Sequence, residues 1–229
     1  MLLLRKEIYS ILLICYISLI SCSAQNHDHS GLHHWEIPSK NPDRIILTFH
    51  EDPSESRAVT WRTDTTIKNA YAEIAEATVN SNFVTNSKRY MAKTETFDLG
   101  LYKGNKSLKV HYHSVAFNHL KPNKIYVYRV GDGKSHWSEW IQFKTAKNEY
   151  APTKFVYFGD AQNEVRTHWS RVFREAFRDA PRAAFTLHAG DLVNRKYSDS
   201  EWGEWHEGPD WVNGTIPVLS LIHISEPTR

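Results

Sequence analysis

Between Pro42 and about Lys147, apolar and polar positions alternate in short runs. Ile45 to Phe49, Tyr71 to Glu76, Lys109 to Phe117, Ile125 to Val130 and Ser138 to Lys144 are short apolar-containing runs, and Arg57-Ala58-Val59-Thr60-Trp61 is one whose faces alternate. Such runs predict strands, because successive side chains of an extended backbone point to opposite faces. Asp52-Pro53-Ser54, Lys121-Pro122-Asn123 and Gly131-Asp132-Gly133 separate the runs as turns. Several short strands within about 100 residues predict a β-sandwich. Trp61, on an early strand, is expected in its core. His111 and His113 alternate on one strand and are expected to face the surface with no special role.

Near Asn148 to Pro152 the period changes. Lys154 to Phe158 reads as a short strand, and Glu164 to Asp179 as a helix. In that helix Val165, Trp169, Val172, Phe173, Ala176 and Phe177 recur at spacings of three and four. Pro181 ends it, and Ala183 to His188 reads as a second strand, parallel to the first. A β-α-β unit of roughly 30 residues fits this pattern. Both strands run into the same dipeptide, Gly159-Asp160 and Gly190-Asp191. Neighbouring strands lie about 4.8 Å apart, so the two carboxylates should emerge side by side. Ligands of open α/β sheets bind at that end, and paired carboxylates there suit a hard or borderline metal ion. Further on, Trp202, Trp205 and Trp211, with His206 among them, suit a helix packed by its tryptophans. The fold class expected is an N-terminal all-β sandwich followed by the start of an α/β domain.

Composition narrows the function. The chain of 229 residues is 41% hydrophobic and 24% charged, with a formal net charge of +2. No basic stripe runs along any segment, which argues against nucleic acid as a partner. Arg5 and Lys6 precede an apolar run from Ile8 to Ile20 that is too short to span a bilayer stably. It ends in Leu19-Ile20-Ser21-Cys22, which resembles a bacterial lipobox. That resemblance implies a cell-envelope lipoprotein with Cys22 as its lipidated N-terminus; an ordinary secretory signal cut near Ala24 is the alternative. Cys15 would leave with the signal, so no disulfide is expected. Residues 23–40, with His27, His29, His33 and His34, read as a solvated tether.

The stretch HLKPNKIYVYRVGD resembles the E–F corner of fibronectin type III domains, with Tyr126 as the tyrosine whose hydroxyl bonds back to the backbone. Such a domain at 41–147, followed by FGDAQ and AGDLVNR at 148–218, resembles the purple acid phosphatase branch of the calcineurin-like metallophosphoesterases. The resemblance implies a dinuclear site of Fe, Zn or Mn, with Asp160 on one metal and Asp191 bridging both. It further implies hydrolysis of phosphomonoesters by hydroxide activated between the two metals. Gln162 stands where many relatives have His or Gly, and Asn194 where purple enzymes have the colour-giving tyrosine. Both are either oxygen ligands or ordinary loop residues. Arg195 either faces the phosphate or lies on the surface.

After Ile216-Pro217-Val218 the family would run into a Gly-Asn-His motif, and the chain instead reads LSLIHISEPTR. Those residues, 219–229, resemble the translation of a sequencing-library adapter, so His223 is not expected to be a ligand. The expectation is a fragment of a phosphoesterase, inactive as it stands and prone to aggregate through its C-terminal third. The alternative is a surface lipoprotein in which the sandwich is a binding module and no catalysis occurs.

Overall fold

The alternating runs form two antiparallel layers in the computed structural model, which describes residues 35–102 and 106–220. Cys15, Cys22, His27, His29, His33, His34 and His223 lie outside the described residues. The strands of the layers are β1 (Asp43–Thr48), β2 (Arg57–Asp64), β3 (Tyr71–Glu76), β4 (Lys88–Met91), β5 (Lys93–Tyr102), β6 (Lys106–Phe117), β7 (Ile125–Gly131) and β8 (Ile141–Lys144). One sheet runs β1-β2-β6-β5 and the other β4-β3-β7-β8. In immunoglobulin-type lettering these orders are A-B-E-D and C′-C-F-G, the topology of a fibronectin type III-like sandwich. Leu47, Val59, Trp61, Phe117 and Tyr128 fill the core from both inner faces. At the corner before β7, the Tyr126 hydroxyl accepts a hydrogen bond from the Lys121 amide at 2.8 Å.

The two strand histidines are not on the surface, which corrects the expectation for them. His113 is fully buried, with its ring between the Thr63 and Thr94 hydroxyls at 2.8 and 2.9 Å. His111 is buried too, its Nδ1 at 2.8 Å from the Ile67 carbonyl oxygen. Both share the inward face of β6 with Val115 and Phe117, and the sequence pattern also missed β4 and β5, the edge strands of the two sheets. Thr94 pairs with His113 and Phe97 with Val110 along the β5–β6 ladder.

On the outer face of the other sheet, Arg129 lies 4.3 Å from the Trp137 ring and 4.7 Å from the Trp140 ring. Arg89 lies 5.5 Å from Trp137 on the same stack. Both guanidiniums bond Glu73 at 2.6 Å. Burial pushes the Glu73 carboxyl up, but the bonds from Arg89 and Arg129 hold it below the usual range.

Beyond the sandwich, a parallel sheet of order β11-β10-β9 forms from β9 (Val156–Phe158), β10 (Thr186–His188) and β11 (Val218–Ser220). A π-helical turn, Val165–Trp169, leads into α1 (Ser170–Asp179); α2 (Asp199–Glu207) and α3 (Val212–Thr215) follow β10. The β-α-β unit is therefore present, and the sheet has one parallel strand more than the two expected. Leu219 and Ser220 lie in that third strand, paired with Leu187 and His188. Phe158 stacks on Phe173 at 4.8 Å and on His188 at 5.2 Å, so α1 covers one face of the sheet.

The end of the expected tether is not solvated. Trp35 and Glu36 are buried, and the Trp35 carbonyl oxygen accepts bonds from Arg44 and Arg62 at 3.3 and 3.1 Å. These arginines join the sandwich to α2. Arg44 sits in a bulge of β1 at φ +50°, a backbone conformation non-glycine residues seldom adopt. Its guanidinium meets both Asp199 carboxylate oxygens, at 2.6 and 2.8 Å, and Arg62 bonds the same group at 3.2 Å.

Candidate metal site at the ends of the parallel strands

β9 and β10 pair in register as Phe158↔His188, so each Gly-Asp leaves the sheet at a neighbouring strand end. The pairing continues beyond the strands: the Ala189 amide bonds the Phe158 carbonyl at 3.0 Å, and the Ala161 amide bonds the Asp191 carbonyl at 3.1 Å. The loop of Asp160 is thus hydrogen-bonded to the loop of Asp191. Both aspartates are exposed, and each is followed by buried anchors, Ala161 on one loop and Leu192 with Val193 on the other. Apolar burial holds the backbone while the carboxylates face solvent.

The two glycines do different things. Gly190 has φ +134°, and the Asp191 after it has φ +45°. A Cβ at Gly190 would meet nothing, so backbone conformation alone demands glycine there. Gly159 has no such φ, and a Cβ there also finds open space. Asp191 is held in the left-handed region, which aspartate tolerates better than most residues.

Asn194 ties the two loops together again. Its Nδ2 donates to the Gln162 carbonyl oxygen at 2.8 Å and to Asn163 Oδ1 at 3.1 Å. A carbonyl can only accept, which fixes the amide orientation and leaves Asn194 Oδ1 as an open acceptor. Gln162 contributes its backbone to this bridge. Arg195 is turned the other way, with its amide and Nε both on the Glu201 carboxylate. The structure thus joins the Asp160, Gln162, Asp191 and Asn194 loops and pairs Arg195 with α2.

Two carboxylates and an amide oxygen are a donor set that fits a hard or borderline cation. They do not complete one. Among the described residues no three His, Cys, Asp or Glu side chains gather as a metal-holding group. The tryptophans of the next segment divide: Trp205 is buried against Trp169 at 6.1 Å, whereas Trp211 is half exposed and meets Phe177 edge-on at 5.2 Å. Sequence reasoning missed the Arg44–Arg62–Asp199 cluster, because nothing local in the chain marks charges 137 and 155 positions apart as partners.

Comparison with known proteins gives the class of the sandwich first. Residues 42–145 match the family model described as "Purple acid Phosphatase, N-terminal domain". The whole described architecture, sandwich and parallel sheet together, is similar to purple acid phosphatase PPD1 from yellow lupin (Lupinus luteus) seeds. That similarity has a TM-score of 0.64 at 18% identity over 80% of this chain and 35% of the lupin protein. PhoD is similar at a TM-score of 0.52 and 16% identity, over 80% of this chain and 39% of PhoD. The chain therefore spans well under half the length of either protein. No curated protein sequence matches it.

Proposed function

We propose that this chain carries the opening part of a metal-dependent phosphoesterase, with Asp160 and Asp191 as its first two metal-ligating carboxylates. The observation that carries the reading is the hydrogen-bonded meeting of two Gly-Asp loops at adjacent parallel strand ends. Asn194 Oδ1 is a third oxygen donor, and Gln162 holds the Asn194 side chain in place. A pair of divalent or trivalent ions, Fe, Zn or Mn, would supply positive charge for a phosphate ester and an acidified water. Asp160 and Asp191 would hold and space those ions. Asn194 would orient the loop, and Arg195 would reach a phosphate only by leaving Glu201.

The test is calorimetric titration of the chain with Mn2+ and Zn2+, beside Asp160→Asn and Asp191→Asn. Either substitution should weaken binding at least about tenfold, or by about 1.4 kcal/mol. Unchanged affinity in the double variant would sink the assignment. Because the described donors are few, turnover of p-nitrophenyl phosphate by these 229 residues alone should be absent even with metal added.

The Leu19-Ile20-Ser21-Cys22 stretch supports an envelope location, with Cys22 lipidated and the protein anchored to a membrane. Cys22→Ala should move the protein from the membrane to the soluble fraction of expressing bacteria. Equal membrane recovery of the variant would refute anchoring through Cys22.

A further inference from the structure

A second candidate site lies between β5 and α2, lined in part by the end of the connection that carries Asp191. It is a cleft of about 650 Å3, walled by Phe97 and Tyr112 from the sandwich and by Tyr197, Trp202 and His206 from the α2 side. That volume is within the range of small-molecule sites, roughly 300–1,000 Å3. Phe97 is 57% exposed and Tyr197 86% exposed, so two large rings stay in solvent in the lining of the cleft. Apolar surface left in solvent within one cleft costs hydration energy that an apolar-faced ligand would recover.

The charges in the lining say what kind of ligand fits. Asp199 is neutralised by Arg44 at 2.6 Å, Glu95 is paired with Lys93 at 2.6 Å, and Asp98 lies 3.8 Å from Lys109. The Lys196 ammonium lies 5.0 Å from the Tyr197 ring. With its ions already paired, the cleft has little net field to attract an anion or a cation. What it retains is acceptor capacity: carboxylate oxygens accept several hydrogen bonds each.

We propose that this cleft binds a neutral carbohydrate, one sugar ring lying against Phe97 and Tyr197 with its hydroxyls bonded to Glu95 and Asp98. A pyranose has apolar C–H faces and a rim of hydroxyl donors, which is the complement of exposed rings beside spare acceptors. A nucleobase would use the rings as well but offers few donors for the carboxylates. The proposal does not depend on the phosphoesterase reading, because none of Asp160, Gln162, Asp191 and Asn194 lines the cleft. It joins a sandwich strand to α2 in one site, so the two parts of the chain would share a ligand.

The test titrates the full chain with cellotetraose and maltotetraose, in parallel with adenosine, by tryptophan fluorescence and saturation-transfer NMR. Phe97→Ala and Tyr197→Ala remove exposed rings and should leave the unfolding temperature in place. At least one oligosaccharide should bind, with each substitution weakening it by about tenfold or more and EDTA without effect. No oligosaccharide binding at millimolar concentration would overturn the proposal, as would equal affinity in both variants. Binding of adenosine alone would overturn it in favour of a nucleobase site. Loss of metal binding in the Asp160 and Asp191 variants with sugar binding intact would keep the two sites distinct.

Discussion

Single residues here are governed by whether their environment pays for what their sequence position demands. Gly190 and Asp191 both sit at positive φ, yet only the glycine is free of strain there. Gly190→Ala should destabilise the strand-end loop by about 1–2 kcal/mol and weaken Mn2+ binding, while Gly159→Ala should do neither. Parallel urea melts and metal titrations of the two variants check this, and equal effects at both glycines would contradict it. The buried histidines give the pH dependence. Burial, with His111 adding to it, pushes the His113 imidazole down to about 4, and burial pushes His188 to about 4 as well. The unfolded chain takes up protons as pH falls past about 6.5, whereas the folded chain resists until about 4. Stability is therefore full above pH 6.5 and is lost as pH falls from there through 4. The slope is up to about 1.4 kcal/mol per pH unit for each histidine. Neither ring nitrogen of His188 has a hydrogen-bond partner, and Phe158, Phe173 and Trp205 surround it. His188→Phe should thus raise stability at pH 7 by about 1–3 kcal/mol and flatten part of the acid slope in denaturant melts at several pH values. Trp61 and Tyr126 were legible as core and corner because their roles follow from local spacing. His111 and His113 were misplaced, although the period of two along β6 puts them on the same face as the core residues Val115 and Phe117.

At the scale of elements, what was legible tracked hydrophobic contrast. The helix at Glu164 to Asp179 stood out because its apolar residues recur at spacings of three and four, and strand β3 because Tyr71, Ala72, Ile74 and Ala75 fall in one short run. β4 reads Lys-Arg-Tyr-Met and β5 begins Lys-Thr-Glu-Thr; both are edge strands, whose outer positions need no apolar face. β5 turns back on β6 as a hairpin, from Tyr102↔Lys106 to Lys93↔Ser114, and its polar start gives a local window no apolar face to recognise. No local window marks the joint between the sandwich and α2 either. Ser198 caps α2, accepting from the Glu201 amide, and that helix offers Asp199 to Arg44 and Glu201 to Arg195. One turn of helix thereby grips the bulge of β1 on one side and the loop of Asp191 and Asn194 on the other. Asp199→Asn leaves the buried Arg44 guanidinium without its carboxylate, while Arg62 keeps Asp43 at 2.7 Å, and should cost about 3–5 kcal/mol. Differential scanning calorimetry should then show the α/β part melting before the sandwich. A single transition at the native temperature would mean the cluster does not couple them.

For the molecule as a whole, the β-α-β unit and its paired Gly-Asp ends were readable because two short strands, a helix and two identical dipeptides fall in one stretch of sequence. What surrounds the parallel sheet was not readable, since a short apolar run does not say which of its faces is covered. One face packs under α1 and α2 through Phe158, Phe173, His188 and Trp205. On the other, Phe185 meets Phe49 of the sandwich edge at 5.9 Å and stacks on Phe155 at 4.8 Å. The row below it, Tyr157↔Leu187↔Leu219, runs across all three strands, with Tyr157 62% exposed and the leucines half-buried. Parallel sheets are ordinarily covered on both faces, and an apolar row left on a short sheet invites association with another copy. Sedimentation velocity should therefore show self-association that rises with concentration, accompanied by binding of a hydrophobic dye. Tyr157→Lys places a charge at the exposed end of that row, on the β9 edge, where it has solvent to enter and no ladder bond to lose. The variant should sediment as a monomer at concentrations where the parent associates, with an unchanged melting temperature for the sandwich. Association that persists undiminished in Tyr157→Lys would move the sticky surface elsewhere, and a parent that stays monomeric with no dye binding would show that this face is stable in water as it stands.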